Sequence, residues 1–174
     1  MELLKVYLTN LGKYNEGALI GEWLALPTSE EEIASAMLRI GVKDNTSYEE
    51  YFITDYESNY NLKCEEYTNI YELNKQLEEL ENALNYANED AEIITDFQDA
   101  YCEDLEEITR RLNNYDYIFY KGCSMLDVAE ELFDECYGYD LPDHIKNYID
   151  YEAFARDLSF DGYEETTNGV MLLQ

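Results

Sequence analysis

A chain of 174 residues with 40 Asp and Glu against 11 Lys and Arg carries a formal charge of −29, a sign that excludes nucleic-acid binding by counterion displacement and points to a basic partner surface. The same chain is 46% hydrophobic and 14% aromatic, which excludes an acidic disordered tail, because such tails lack the side chains that bury surface. Its length suffices for one ordinary domain or two or three small subdomains, not for an enzyme with a separate cofactor domain.

In chain order, Val6-Tyr7-Leu8 predicts a strand, and Leu19 to Leu26 a second after a turn at Asn15-Glu16-Gly17. Thr28-Ser29 supplies an N-cap for a helix whose first turn, Glu30 to Glu32, suits the helix dipole; Ile33, Met37, Leu38 and Ile40 form its apolar face and Gly41 ends it. Tyr48 to Ile53 reads as a third strand. From Thr68 the period turns helical, with Ile70, Leu73, Leu77, Leu80 and Leu84 on one stripe. After a break at Asn85 to Asn88 a second stripe runs Ile94, Phe97, Tyr101, Leu105, Ile108, Leu112, compatible with one helix over 89–113 or with two shorter ones. Tyr117 to Tyr120 reads as a strand, Ser124 caps a helix through Cys136, and Pro142 opens another towards Leu158. Glu164 to Thr167 and Val170 to Leu173 pair as a hairpin across Asn168-Gly169. The fold class is α+β: an N-terminal α+β subdomain (1–60), a helical acidic subdomain (61–114) and a C-terminal α+β subdomain (115–174).

Cys64, Cys102, Cys123 and Cys136 are widely spaced without a CxxC pair and, with a single His144 at a predicted helix start, make no zinc set; they read as reduced, mostly buried thiols. No stretch approaches the roughly 18 apolar residues of a membrane span and no basic segment leads into an apolar run, so a cytoplasmic location is expected.

Between Lys75 and Arg110 lie 34 residues with twelve acidic side chains and no basic one. Glu89, Glu92, Asp96, Asp99, Glu103 and Glu106 are spaced three and four apart, which on a continuous helix makes one row of carboxylates. Its five adjacent like-charge pairs cost about 0.2–0.5 kcal/mol each. A mean spacing of about 5 Å along such a row is of the order of the roughly 3.4 Å between phosphates of one DNA strand, and the whole net charge corresponds to roughly 50 Å of duplex. The excess recurs at Glu30-Glu31, Glu49-Glu50, Asp55 and Glu57, Glu65-Glu66, Glu78-Glu79, Glu130-Glu131 and Asp134-Glu135. These pairs and the row are the candidate partner-binding, phosphate-mimicking residues; Tyr56, Tyr60 and Tyr67 among them add donors and flat faces. An ordinary solvated surface is the plain alternative. A halophilic origin fits poorly, since 26 Glu outnumber 14 Asp.

No GxGxxG, GxxxxGK[ST], HExxH or GxSxG pattern occurs, nor an EF-hand loop. The expectation is therefore a protein that is not an enzyme, with no cofactor, no metal, no membrane and no direct nucleic-acid contact. A hydrolase with an unrecognised carboxylate site and an acidic inhibitor of some other basic DNA-binding protein are the alternatives.

Three segments carry a family resemblance: Val6-Tyr-Leu-Thr-Asn-Leu-Gly-Lys-Tyr-Asn-Glu-Gly17 leading into Gly21-Glu-Trp23; Tyr48-Glu-Glu-Tyr-Phe-Ile-Thr-Asp-Tyr56; and Tyr148-Ile-Asp-Tyr-Glu-Ala-Phe-Ala-Arg-Asp-Leu158. In these the chain resembles the ArdA family of antirestriction proteins, while 61–115 shares acidity and helical character more than letters. The resemblance implies an elongated homodimer of three small subdomains that mimics DNA. It also implies a target, the methyltransferase core of type I restriction-modification enzymes, occupied competitively in the bacterial host so that incoming mobile DNA is protected during conjugative transfer. The apolar runs Tyr117–Tyr120 and Val170–Leu173 exceed what the C-terminal third readily buries and place dimerisation there.

Overall fold

Strand β1 (Leu4–Asn10) turns Val6 and Leu8, both fully buried, to one side and Tyr7 to the other, the period-two division that a half-covered sheet requires. The computed structural model describes every residue except Tyr137, Tyr139, Asp140 and Asn147, together with the side chain of Asp143. A short helix that the sequence did not announce, α1 (Leu11–Asn15), follows β1 directly; the Asn10 side chain caps it by accepting from the Lys13 amide at 2.9 Å. Strand β2 (Gly21–Leu26) starts later than expected and leaves Leu19 80% exposed. Helix α2 (Glu30–Arg39) starts at the Ser29 cap, whose hydroxyl accepts from the Glu32 amide. Its buried face is Ile33, Ala36 and Met37; Leu38, expected there, points to solvent.

Strand β3 (Tyr51–Glu57) lies three residues beyond its expected start and completes an antiparallel sheet in the order β2-β1-β3, with a bulge between the partners of Tyr7 and Leu8. Helix α3 (Ile70–Ala87) buries the expected stripe Ile70, Leu73, Leu77, Leu80 and Leu84, and the Asn69 side chain caps it. Buried Asn74 ties α3 to the loop before α2. Its Oδ1 accepts from the Thr28 amide at 2.7 Å and its Nδ2 donates to the Thr28 carbonyl and to Glu78 at 2.8 Å.

The helical middle is two shorter helices, α4 (Ile93–Tyr101) and α5 (Leu105–Asn114), separated by Cys102 in the left-handed region at φ 53° and by Asp104, whose side chain caps α5 through the Glu107 amide at 2.9 Å. Strand β4 (Tyr117–Lys121) and helix α6 (Met125–Cys136) follow as expected. The single helix foreseen from Pro142 to Leu158 is instead α7 (Asp143–Lys146) and α8 (Tyr151–Phe160). Asp150 accepts from the Ala153 amide at 2.9 Å and starts α8 afresh; Asn147 lies outside the described residues. The hairpin of β5 (Tyr163–Glu165) and β6 (Gly169–Leu173) forms, with β6 between β4 and β5, but its turn lies one residue earlier than expected: Glu165 pairs with Val170, the Thr166 amide donates to the Gly169 carbonyl at 2.8 Å, and Gly169 belongs to the strand.

Contacts divide the chain into two compact units, 1–91 and 92–174. The first holds the β2-β1-β3 sheet with α1 to α3, the second the β4-β6-β5 sheet with α4 to α8. In the second unit Val128, Ala129, Ala155, Leu158 and Val170 form a buried cluster that joins α6 and α8 to β6. Val170, in the cluster, and Met171, its neighbour on β6, are fully buried, while Leu172 and Leu173 are half-buried. The cysteines correct the sequence expectation: Cys64 and Cys123 are half-buried, Cys102 and Cys136 exposed, and all four are free. Among the described residues no helix is long and apolar enough to cross a membrane.

Candidate protein-binding acidic surface

Both units carry the charge excess: nineteen acidic against six basic residues in 1–91, twenty-one against five in 92–174. A folded chain keeps ionised carboxylates at the surface because burying them unpaired is expensive. Accordingly every acidic residue singled out from the sequence is exposed except Glu89, Asp96 and Glu103.

In the first unit Glu30 and Glu31 project from the opening turn of α2, Asp55 and Glu57 from β3, Glu49-Glu50 and Glu65-Glu66 from the segments flanking it, and Glu78-Glu79 from α3. The basic groups present are partly drawn into pairs. Arg39 forks onto Glu22 at 2.7–3.1 Å and reaches Glu32 at 2.7 Å, and these partners hold its guanidinium firmly charged. Lys75 meets Glu79 at 3.5 Å.

The second unit breaks the row expected over 89–106. The turn at Cys102 to Asp104 interrupts the helix, and two of the six carboxylates serve the interior. Asp96 is fully buried and accepts from the Asn168 amide at 2.9 Å. Glu103 binds the Arg111 Nε at 2.6 Å with about a tenth of its side chain exposed. Burial pushes the Glu103 carboxyl up, against the downward pull of Arg111. Asp99 accepts from the Thr167 hydroxyl at 2.5 Å. Glu92 and Glu106 remain exposed, Glu89 half-exposed. Arg110 holds Glu107 at 2.8 Å and Asp116 at 2.5 Å, and its hydrogen bonds draw the Glu107 carboxyl below the usual range.

A run of exposed acidic side chains lies on α6. Val128 and Ala129 face inward, while Asp127, Glu130, Glu131, Asp134 and Glu135 are exposed at the three- and four-residue spacings that align side chains along one side. Asp127 was missed from sequence because its pattern reads as a cap: Ser124 and Asp127 form a reciprocal box, the Asp127 carboxylate accepting from the Ser124 amide at 2.8 Å and its hydroxyl at 2.6 Å. Those bonds lower the Asp127 carboxyl. Lys146 meets Asp134 at 2.7 Å. Such a surface can supply carboxylate oxygens to groups that carry Lys and Arg.

A family model described as antirestriction protein (ArdA) matches residues 6–172, nearly the whole chain and including both acidic units. The chain belongs to this antirestriction family. No curated protein sequence matches it. The family match spans the middle as well as the two ends, so the segment whose letters carried least of the resemblance is part of the family domain.

Proposed function

We propose that this antirestriction chain acts as a DNA mimic that competes for the DNA-binding groove of type I restriction-modification enzymes, at their methyltransferase core. The observation that supports this most is the excess of exposed carboxylates over cations: Arg39, Arg110 and Arg111 are spent on Glu22, Glu32, Glu103, Glu107 and Asp116, and Lys75 and Lys146 on Glu79 and Asp134, while both units carry many further acidic side chains that are exposed. A groove lined with Lys and Arg accepts carboxylates placed where phosphates would lie, and association is fast and weakens with salt.

Inhibition on this reading is stoichiometric, without turnover, and needs no cofactor. It operates in the bacterial cytoplasm and shields incoming mobile DNA. A homodimer doubles the length of duplex imitated; Tyr148 and Phe160, 85% and 81% exposed, are among the apolar groups of the second unit that such an association would cover. Titrating a type I enzyme with the protein while DNA cleavage is followed tests the reading. Inhibition complete at a fixed molar ratio supports it, and undiminished cleavage at large excess removes the target.

A further inference from the structure

The first sheet is aliphatic on one side; on the other Tyr7, Trp23 and Phe52 stand with Thr9 and Asp55, and Lys5 and Glu57 pair in register at the far end of the strands, outside the hollow that Tyr7 lines. Its register sets Trp23, Tyr7 and Asp55 side by side across β2, β1 and β3, and Gly21, Thr9 and Phe52 in the next row. Tyr7 meets Trp23 edge-on at 5.3 Å, and Phe52 meets Tyr14 edge-on at 5.1 Å. Gly21 is required here: a Cβ would lie 2.6 Å from the Tyr7 ring and 2.5 Å from the Leu8 carbonyl, whereas glycine lets the Tyr7 hydroxyl donate to its carbonyl at 3.1 Å.

Tyr7, Tyr14, Phe52 and Tyr56 line a hollow of about 630 Å³, within the roughly 300–1,000 Å³ typical of ligand sites; Trp23 lies beside it against Tyr7. Its floor has the paired hydroxyls of Thr9 and Thr54, 2.9 Å apart. Tyr14 is 45% and Tyr56 39% exposed. The only charged side chains of the lining are Asp55 and Glu66. Aromatic faces together with carboxylates and no cation select a flat, delocalised cation: a guanidinium stacks on tyrosine while offering its N–H fork to a carboxylate, which an ammonium does less well. An anionic ligand is repelled. A second copy of the chain, itself at −29, brings mostly like charge.

We propose that this basin receives an arginine side chain of the basic partner, stacked on the tyrosine rings and paired with Asp55 and Glu66, so that one specific anchor supplements the distributed carboxylates. The identity of the partner rests on the DNA-mimic reading; the cation preference of the basin does not.

The test uses the whole protein and a blocked Gly-Arg-Gly peptide, with lysine and citrulline peptides for comparison, at salt high enough to screen diffuse attraction. Trp23, the single tryptophan and in contact with Tyr7, gives a fluorescence signal, and amide shifts locate the site. The arginine peptide is expected to shift Tyr7, Thr9 and Asp55, the citrulline peptide not. Tyr14→Ala, and separately Asp55→Asn with Glu66→Gln, are expected to weaken binding roughly tenfold with circular dichroism unchanged. Equal responses to arginine and citrulline, or shifts on α6 as large as those in the basin, overturn the proposal. If the peptide fails while the protein still displaces DNA from a methyltransferase, the basin falls and the mimicry stands. If the peptide binds and no DNA is displaced, the basin stands and the restriction target falls.

Discussion

The carboxylate of Asp96 accepts both the backbone amide of Asn168, at 2.9 Å, and its side-chain amide, at 3.2 Å, across 72 residues of chain. An acidic residue that sequence spacing places on a phosphate-mimicking row is therefore the pin holding the β5–β6 turn to α4. Asp96→Ala leaves a buried donor unsatisfied, and urea unfolding is expected to show a loss of about 2–4 kcal/mol. Glu106→Gln, on the exposed part of the same segment, is expected to stay within about 0.5 kcal/mol of the parent. Equal effects for the two contradict the structural assignment of Asp96.

Glu103 and Asp127 titrate against stability in opposite directions. The Glu103 carboxyl is raised by burial, and its Oε2 lacks a hydrogen-bond partner among the described residues. A raised folded value means that the folded state binds the proton more tightly. Its contribution is thus full below the ordinary glutamate range and is lost as pH rises through the raised folded value. Asp127, lowered by Ser124, contributes above the ordinary aspartate range and loses that contribution as pH falls through its lowered value. The stability of the parent relative to Glu103→Gln should fall with rising pH, and relative to Asp127→Asn with falling pH. Both are read from urea midpoints over an acid series.

Self-repulsion predicts the response to salt. With a formal −29 on one chain, shrinking the Debye length from about 30 Å at 0.01 M to about 3 Å at 1 M salt should raise the melting temperature steadily. A neutral osmolyte compared at equal excluded volume lacks the screening and separates the two effects. A melting temperature that falls with salt contradicts a surface dominated by like charges.

Most of the fold was legible in the sequence because apolar period and capping chemistry agree there. Ser29, the stripe from Ile70 to Leu84 and the Ser124 start each state a local preference that the packing also satisfies; the last hairpin forms too, but with its turn one residue before the Asn168-Gly169 pair. What was not legible came from residues whose local and tertiary demands differ. The stripe from Ile94 to Leu112 keeps its period across Cys102 although the helix stops, since Asp104 can cap a new start as easily as continue the old one. Leu38 looks like core because its neighbours are. For the candidate site, residue type and acidity identified the exposed carboxylates, but not which were consumed inside: Asp96 and Glu103 differ from Glu92 and Glu106 only in partners, Asn168 and Arg111, that lie far along the chain or beyond the turn.

The α6 face gives a direct contrast with single-residue hot spots. Changing any one of Glu130, Glu131, Asp134 and Glu135 to its amide is expected to weaken inhibition less than about threefold, the size of a screened surface charge contact. Changing all four should weaken it far more and flatten its salt dependence. One amide substitution that abolishes inhibition in a folded protein would instead locate a hot spot on α6.

The most direct test of DNA mimicry is competition: a labelled duplex bound to a type I methyltransferase core is titrated with the protein at low and high salt, and release is followed by anisotropy. Mimicry predicts stoichiometric release that weakens as salt rises. A folded protein that releases no duplex in excess, or releases it with no dependence on salt, contradicts it.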